Sequence, residues 1–233
     1  MTEYGTAADA PPRLAILRVG LGSVLVPYQQ AWELQREIHS EVVAGQRRPT
    51  ALLLEHEPVF TAGRRTPPTD LPTDGSPVID VDRGGRITWH GPGQLVCYPI
   101  VALGQPFDVV AHVRRLEETV IRTCADFGTA TARVPGRSGV WCESSTGADR
   151  KIAAVGVRVA RGVTMHGIAL NVSCDLGWTR QIVPCGIDDA QVTSMTAEIG
   201  EPVDLLAVAD VFERHLRAVL EPTLGADDTR NLP

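Results

Sequence analysis

Two spacings of apolar residues divide the chain into predicted strands and helices. Apolar and polar residues alternate over residues 14–19, which predicts a strand, and apolar residues recur at helical spacing over residues 27–44, which predicts a helix. A short apolar run at residues 50–54 is typical of a buried strand. Helical spacing returns at residues 109–127 and 203–220, so three helices are predicted.

The middle of the chain combines turn residues with short apolar runs. Residues 55–77 are rich in Pro, Thr, Gly and Asp, which predicts a surface loop. The apolar runs 78–81 and 87–89 flank Asp82-Arg83-Gly84-Gly85, and this spacing predicts a tight hairpin. Further strands are predicted at residues 95–101, 130–134, 139–143, 151–159 and 163–172, the last two joined around Gly162.

Many strands and few helices predict an α+β fold: a single domain with a mixed or antiparallel central sheet flanked by helices. We expect this domain to span residues 13–220, between flexible tails at residues 1–12 and 221–233. No apolar run reaches the ~20 residues that a membrane span requires, and the N-terminus lacks the layout of a secretory signal. A cytoplasmic protein without membrane attachment is therefore expected.

The composition argues against several functional classes. A net charge of −6 disfavours non-specific binding of nucleic acid, which needs a dense basic face. The five cysteines are odd in number and lack C-x-x-C spacing, so neither a disulfide framework nor a zinc site is expected. We predict free thiols, no metal site and no cofactor.

One basic residue differs from all the others, because the chain contains 21 Arg but a single Lys, Lys151. Arg stays charged in proteins, whereas an ammonium group can lose its proton when it is partly desolvated. A site that needs a proton acceptor therefore cannot use Arg. The lone lysine indicates a role in proton exchange, and chance retention of one surface lysine is the competing interpretation.

Cys185 lies in the segment Ile182-Val183-Pro184-Cys185-Gly186-Ile187, where Pro removes an N–H and Gly frees the backbone. This pattern predicts a turn that presents a thiol. A nucleophilic cysteine also needs a cation, a helix N-terminus or a base nearby, and Lys151 and six histidines are candidates. The other four cysteines, Cys97, Cys124, Cys142 and Cys174, are interpreted as structural.

Glycine-rich and small-residue segments predict a binding site. Residues 83–94 combine four Gly with His, Gln and two Arg, a denser polar display than a turn requires. Residues 151–158 and 166–172 contain Ala and Gly on two predicted strands, which would leave a slot for an alkyl chain beside the sheet. Close packing of the sheet explains the small residues equally well.

Five segments, taken in chain order, resemble the lipoyl(octanoyl) transferases, and the resemblance covers most of residues 14–220. They are residues 54–61, 83–94, 151–158, 166–172 and the Cys185 segment. The resemblance implies the fold of biotin and lipoate protein ligases, with Cys185 carrying an acyl thioester and Lys151 lowering the pKa of its thiol. Trp89 stands where tyrosine or another aromatic residue is expected. The implied substrate-binding residues are Arg83, Gly84, Gly85, Arg86, Ile87, Thr88, Trp89, His90, Ala154, Val155, Gly156, Gly167, Ile168 and Ala169.

The resemblance also implies the substrates. The donor is octanoyl-acyl carrier protein, and the acceptors are lipoyl domains of the E2 subunits of 2-oxoacid dehydrogenases and the H protein of glycine cleavage. Since carrier proteins are acidic, Arg64-Arg65, Arg83/Arg86 and Arg158/Arg161 are candidate docking groups. His90 is assigned either to substrate positioning or to structure. An ATP-dependent ligase, a non-catalytic acyl-binding module and a papain-like hydrolase using Cys185 are the alternatives.

Overall fold

The computed structural model describes residues 13–143, 148–182 and 191–224, which form one α+β domain built on a mixed sheet. Seven strands form this sheet in the order β1-β2-β6-β9-β8-β10, with β7 paired to β8. Its strands are β1 (Ala15–Arg18), β2 (Thr50–Leu54), β6 (Gln94–Ile100), β7 (Val140–Cys142), β8 (Arg150–Ala160), β9 (Val163–Asn171) and β10 (Gln191–Val192), and the helices are α1 (Tyr28–Val43), α2 (Val109–Asp126), α3 (Met195–Ile199) and α4 (Leu205–Leu220).

The strand pairing confirms the predicted mixed sheet. β1 pairs with β2 and β10 with β8 in parallel, whereas β2, β6, β9 and β8 pair antiparallel in succession. The hairpin of β8 and β9 turns at Arg161 and Gly162, as predicted, and its register places Gly156 opposite Gly167. The predicted strand at residues 130–134 is wrong, since that segment contributes only an isolated bridge between Ala132 and Trp141.

Helices cover both faces of the sheet, which explains why its central strands are continuous apolar runs rather than alternating ones. α1 packs Ile38 against Leu52 and Leu54 on one face. On the other face, α2 and α4 pack Leu116 and Phe212 into the larger core. All five residues of β2 and all seven of β6 are buried as a result.

A second, three-stranded sheet corrects two predictions. Its order is β4 (Val78–Asp80), β3 (Val59–Ala62) and β5 (Thr88–His90), with β3 in the middle. β4 is parallel to β3 and β5 antiparallel to it, so the runs on either side of Gly84 do not form the predicted hairpin. The segment predicted as one long loop contains β3, whose Phe60 packs with Ile87 in a small core of its own.

The last described residues continue beyond α4. Glu221–Thr223 forms a 3-10 helix, and Leu224 packs into the larger core. Of the predicted tails at residues 1–12 and 221–233, residues 1–12 and 225–233 lie outside the described residues. None of the helices in the described part of the chain is long and apolar enough to cross a bilayer.

Candidate active site

A cavity of about 420 Å³ lies between the small sheet and the hairpin of β8 and β9. Small and apolar residues of these strands and of β6 form one part of its wall, and polar rings and arginines form the rest. The lining residues are Tyr28, Arg65, Arg83, Gly85, Arg86, Thr88, His90, Val96, Tyr98, Gly136, Arg137, Ser138, Ala154, Val155, Gly156, His166, Gly167, Ile168 and Ala169.

The fold brings together most of the residues that are predicted from the sequence to bind substrate. The small-residue segments 154–156 and 167–169 line the cavity in full, together with Arg83, Gly85, Arg86, Thr88 and His90. Gly84, Ile87 and Trp89 do not line it. Ile87 and Trp89 are buried in the core of the small sheet, and the N–H of Gly84 donates to the carbonyl of Val157 at 2.9 Å.

The two facing glycines of the hairpin serve close packing as well as the cavity. A Cβ on Gly156 would lie 3.0 Å from both Cδ of Arg83 and the carbonyl oxygen of Gly84. A Cβ on Gly167 would meet the Cys97 carbonyl and lie 2.7 Å from Cδ of Pro99. The glycines therefore admit neighbouring backbone, whereas Ala154 and Ala169 line the open space.

Arg83 holds the loop between β4 and β5 in place. It is buried, and its Nη2 donates to the carbonyl and hydroxyl oxygens of Thr61 at 2.8 and 2.9 Å. Its Nη1 donates to the carbonyls of Gly84 and Arg86 at 3.1 and 2.8 Å. These bonds explain why the segment wraps around a guanidinium group instead of closing as a tight turn.

A network of buried rings forms the polar part of the wall. The Nδ1–H of His56 donates to the Val26 carbonyl at 2.8 Å, so its Nε2 accepts from the Tyr98 hydroxyl at 2.7 Å. Tyr28 stacks on His90 with ring centroids 6.0 Å apart, and its hydroxyl lies 3.4 Å from Nδ1 of His166. The rings therefore support one another through both contacts and hydrogen bonds.

His166 is the least expected member of this network. It adopts a φ of 57°, which a side chain of its size rarely adopts, and its backbone N–H donates to Oε1 of Gln35 at 2.8 Å. Its Nε2 lies 2.8 Å from Oδ1 of Asp82, whose other oxygen pairs with Arg158. This arrangement ties the β4–β5 loop to the hairpin of β8 and β9.

Burial keeps these rings uncharged at neutral pH. It lowers the pKa of His56 to about 4, lowers the pKa of His90 well below its ordinary value and raises the pKa of Tyr28 to about 12. Burial also lowers the pKa of His166, although the Asp82 carboxylate opposes that change. This part of the cavity wall can therefore form hydrogen bonds to a ligand through neutral rings.

Lys151 lies on β8 and is not among the residues that line the cavity. Its side chain is buried, and Nζ is 5.1 Å from the centroid of the Trp141 ring. A Cβ on Gly139 would lie 2.6 Å from Cε of Lys151. Among the described residues no carboxylate lies within ion-pair distance of Nζ, so the amine is enclosed by an aromatic ring and backbone. The interpretation of Lys151 as an ordinary surface lysine is wrong.

The cysteines divide into two groups. Cys97, Cys124, Cys142 and Cys174 are free and buried, as their assignment as structural residues predicts. Burial raises the pKa of all four thiols, in the last three to about 12. These thiols are therefore poor sources of thiolate at neutral pH. Cys185 lies outside the described residues.

Several lining residues escape sequence reasoning. Tyr28 comes from α1, Tyr98 from β6, and Arg137 and Ser138 from a loop before β7. For Tyr28 and Tyr98 the signal in the sequence is limited to a polar ring within an apolar element. Arg137 and Ser138 lie between Gly136 and Gly139, a pair of glycines that also fits an ordinary turn. His166 stands at the start of a segment that the sequence indicates as part of the site, but its hydrogen bond requires Asp82 from the β4–β5 loop.

Comparisons with known proteins agree with this geometry. The model of the lipoyl protein ligase A/B catalytic domain matches residues 27–217. An octanoyltransferase from Salinispora tropica is 56% identical over 212 residues, covering 91% of this chain and 98% of the relative. One from Thermobifida fusca is 58% identical over 217 residues, covering 91% and 90%.

A solved structure shows the same fold. The crystal structure of lipoate-protein ligase A bound with ATP matches with a TM-score of 0.65 and 16% identity, over 89% of this chain and 85% of that chain. The architecture is thus that of the lipoate protein ligases, which confirms the predicted fold class. The chain belongs to the lipoyl protein ligase A/B catalytic domain family, and within it to the octanoyltransferases, which are acyltransferases.

Proposed function

We propose that this enzyme transfers an octanoyl group from acyl carrier protein to a lysine of lipoyl domains through a thioester on Cys185, with Lys151 as the proton-exchanging partner. The acceptors in this proposal are the E2 subunits of 2-oxoacid dehydrogenases and the glycine cleavage H protein, and the reaction takes place in the cytoplasm. The family assignment supports the acyl group, and the position of Lys151 is the observation that carries the mechanism.

Lys151 suits this role because its amine is buried yet faces no described carboxylate. β10, the strand that follows the Cys185 segment in sequence, pairs with β8, the strand that contains Lys151. Val192 of β10 lies beside Lys151, and the Thr193 N–H donates to the Lys151 carbonyl at 2.9 Å. The chain therefore returns from the Cys185 segment to the strand that holds the amine. This proximity along the fold supports a Cys185/Lys151 pair.

The described cysteines support Cys185 by exclusion. All four are buried and have raised pKa values, so none offers a thiolate to a carrier-bound substrate. Cys185 is the remaining thiol of the five in the sequence. Its Pro–Cys–Gly context is the one least suited to a core position.

The chemistry balances without ATP. Lys151 takes the proton of the Cys185 thiol, the thiolate attacks the octanoyl carbonyl, and the departing pantetheine thiolate receives that proton. In the second half-reaction the acceptor amine attacks the acyl-cysteine, a Cys185 thiolate departs, and the proton lost by the amine passes to Lys151. One thioester replaces another, and formation of the more stable amide drives the sequence.

The cavity provides a place for the acyl chain. Ala154, Ile168, Ala169 and Val96 offer apolar surface, and each methylene removed from water contributes ~0.8 kcal/mol.

The candidate docking arginines differ in whether their guanidinium groups are free to contact a carrier protein. The guanidinium groups of Arg83 and Arg158 are engaged by Thr61 and Asp82, so exposed Arg64 and Arg65 are the better candidates for docking an acidic carrier.

A single comparison tests the proposed function. The enzyme is incubated with an apo lipoyl domain and either octanoyl-acyl carrier protein without ATP or octanoate with ATP, and octanoylation is measured by mass. We expect transfer only from the carrier protein. Transfer that requires ATP and free octanoate would instead identify a ligase, and thioester hydrolysis at full rate without an acceptor would identify a hydrolase.

A further inference from the structure

A chain of buried side-chain amides connects His90 in the cavity wall to the strand beside Lys151. His90 Nδ1 lies 2.8 Å from Oε1 of Gln94, and Nε2 of Gln94 donates to Oδ1 of Asn171 at 2.9 Å. Nδ2 of Asn171 then donates to the Thr193 carbonyl at 2.9 Å. Gln94 and Asn171 are only 4% and 7% exposed, so their side-chain amides have little opportunity to form hydrogen bonds with water instead.

Backbone groups fix the direction of every bond in this chain. The Thr193 carbonyl can only accept, so the Asn171 group facing it must be the NH₂, which leaves Oδ1 to accept from Gln94. The Trp89 carbonyl lies 3.3 Å from Nε2 of Gln94 and gives the same orientation independently. Oε1 of Gln94 is therefore an acceptor, and the proton of neutral His90 must be on Nδ1.

The other ring nitrogen of His90 is consequently an acceptor. No partner for Nε2 is found among the described residues, and His90 lines the cavity. Burial lowers the pKa of His90, and His56, Arg83 and His166 act in the same direction, whereas the hydrogen bond to Gln94 opposes them. Tyr28 covers one face of the ring.

We propose that Gln94 and Asn171 are positioning residues that hold His90 as a neutral imidazole whose Nε2 accepts a hydrogen bond from an N–H of the bound substrate. This inference rests on the proposed function, which supplies two such donors: an amide of the pantetheine arm and the amine of the acceptor lysine. Because the Thr193 N–H also bonds to the Lys151 carbonyl, the same chain keeps His90 and Lys151 in a fixed relation.

The tautomer can be observed directly in the full-length protein. In ¹⁵N-histidine-labelled enzyme, long-range ¹H–¹⁵N correlation spectra distinguish the two neutral tautomers, and His90→Gln identifies the His90 signals by their loss. We expect the Nδ1–H pattern for His90, and a mixture of tautomers in Gln94→Leu. Gln35→Leu is the matched control, since it removes another buried glutamine that has no bond to His90.

Kinetics show whether the tautomer matters. Acyl-enzyme formation and transfer to the lipoyl domain are measured separately, so the affected step identifies which N–H donor His90 contacts. Loss of one orienting hydrogen bond should slow that step about tenfold in Gln94→Leu. In a His90→Gln background, Gln94→Leu should produce little further loss, because its effect passes through His90.

Gln94→Glu supplies a second variant that keeps the shape of the side chain. Its carboxylate would still accept from Nδ1 but would also stabilise the imidazolium form, which raises the pKa of His90. Because protonated Nε2 cannot accept, activity should then be lost as pH falls through that raised pKa. We expect the acidic limb of the pH profile to move upward by about one unit or more.

Three results would overturn the inference: an Nε2–H tautomer in the native enzyme, an unchanged tautomer in Gln94→Leu, or additive effects of Gln94→Leu and His90→Gln. An unmoved acidic limb in Gln94→Glu would contradict the role of His90 as an acceptor. Failure of the proposed function is distinguishable, because an enzyme without carrier-dependent transfer could still show the native tautomer and its dependence on Gln94.

Discussion

Lys151 has a buried side chain near the start of β8. It is the single Lys among 22 Lys and Arg residues, and the fold encloses its amine between Trp141 and backbone. Sequence alone leaves its surroundings unknown, because Trp141 lies on β7 and Gly139 in the loop before it. The contacts arise only when β7 pairs with β8.

Lys151→Arg should abolish proton exchange while keeping the positive charge. We expect kcat to fall by about 10²–10⁴, since general acid–base catalysis contributes on that scale. Octanoyl transfer is measured with the carrier-bound donor, beside Lys151→Met as the variant that loses charge and proton exchange together. Substantial activity in the Arg variant alone would show that only the charge is needed.

Ala154 offers a test of the acyl slot at the scale of one side chain. It lines the cavity and is partly exposed, so Ala154→Leu can be accommodated by filling the open space. We expect the ratio of kcat/KM for octanoyl over butyryl carrier protein to fall by about tenfold or more, because one or two excluded methylenes are worth that much. An unchanged ratio would place the chain elsewhere.

At the scale of elements, the loop before β7 is held by a buried carboxylate. Glu117 of α2 accepts the Gly139 N–H at 2.9 Å and pairs with Arg114 and Arg133 at 2.7 and 3.2 Å. The loop in turn covers Lys151 and lines the cavity with Gly136. α2 therefore supports the site without contributing a lining residue.

Gly139→Ala should disturb Lys151 through sterics. Gly139 has a φ of 102°, and an added Cβ would lie 2.6 Å from Cε of Lys151. Gly128→Ala is the matched control, because it has a φ of 75° and open space around its Cβ. We expect both variants to lose stability by about 1 kcal/mol or more from backbone strain, and only Gly139→Ala to lose transfer activity as well. Equal activity losses in the two would argue against the proposed role of this contact.

The helices and strands that can be predicted from the sequence are those with a strong pattern of apolar residues. The helices α1, α2 and α4 and the long strands β6, β8 and β9 have strong apolar periodicity or continuous apolar runs, and each was predicted within a few residues. The sequence does not indicate β3, because Pro58 and Gly63 flank this short strand and are typical of a loop. The false hairpin arose because Gly84 and Gly85 suggest a turn, whereas a buried Arg83 organises that segment.

At the scale of the whole molecule, buried neutral histidines make stability depend on pH. Burial lowers the pKa of both His56 and His112 from 6.5 to about 4. The unfolded chain therefore binds more protons than the folded protein between these values, and the free energy of unfolding falls as pH decreases through this window. Each histidine contributes up to about 3 kcal/mol of this loss once pH is below 4.

His112→Leu should remove the part of the pH dependence of the free energy of unfolding that His112 contributes. His112 lies in α2 away from the cavity, and its Nε2 finds no hydrogen-bond partner among the described residues. Urea unfolding at pH 7.5 and pH 5.0 should show a smaller difference in the variant than in the native protein. Equal differences would mean that His112 titrates normally in the folded state.

In the proposed reaction the octanoyl group is carried as a thioester on Cys185, and intact-mass spectrometry tests this intermediate most directly. After the enzyme is mixed with octanoyl-acyl carrier protein, we expect a covalent adduct of octanoyl mass that hydroxylamine removes and an apo lipoyl domain discharges. The same adduct should be absent from Cys185→Ser. An enzyme that gains no such mass, or a Cys185→Ala variant that octanoylates the lipoyl domain at the native rate, would contradict the proposed mechanism.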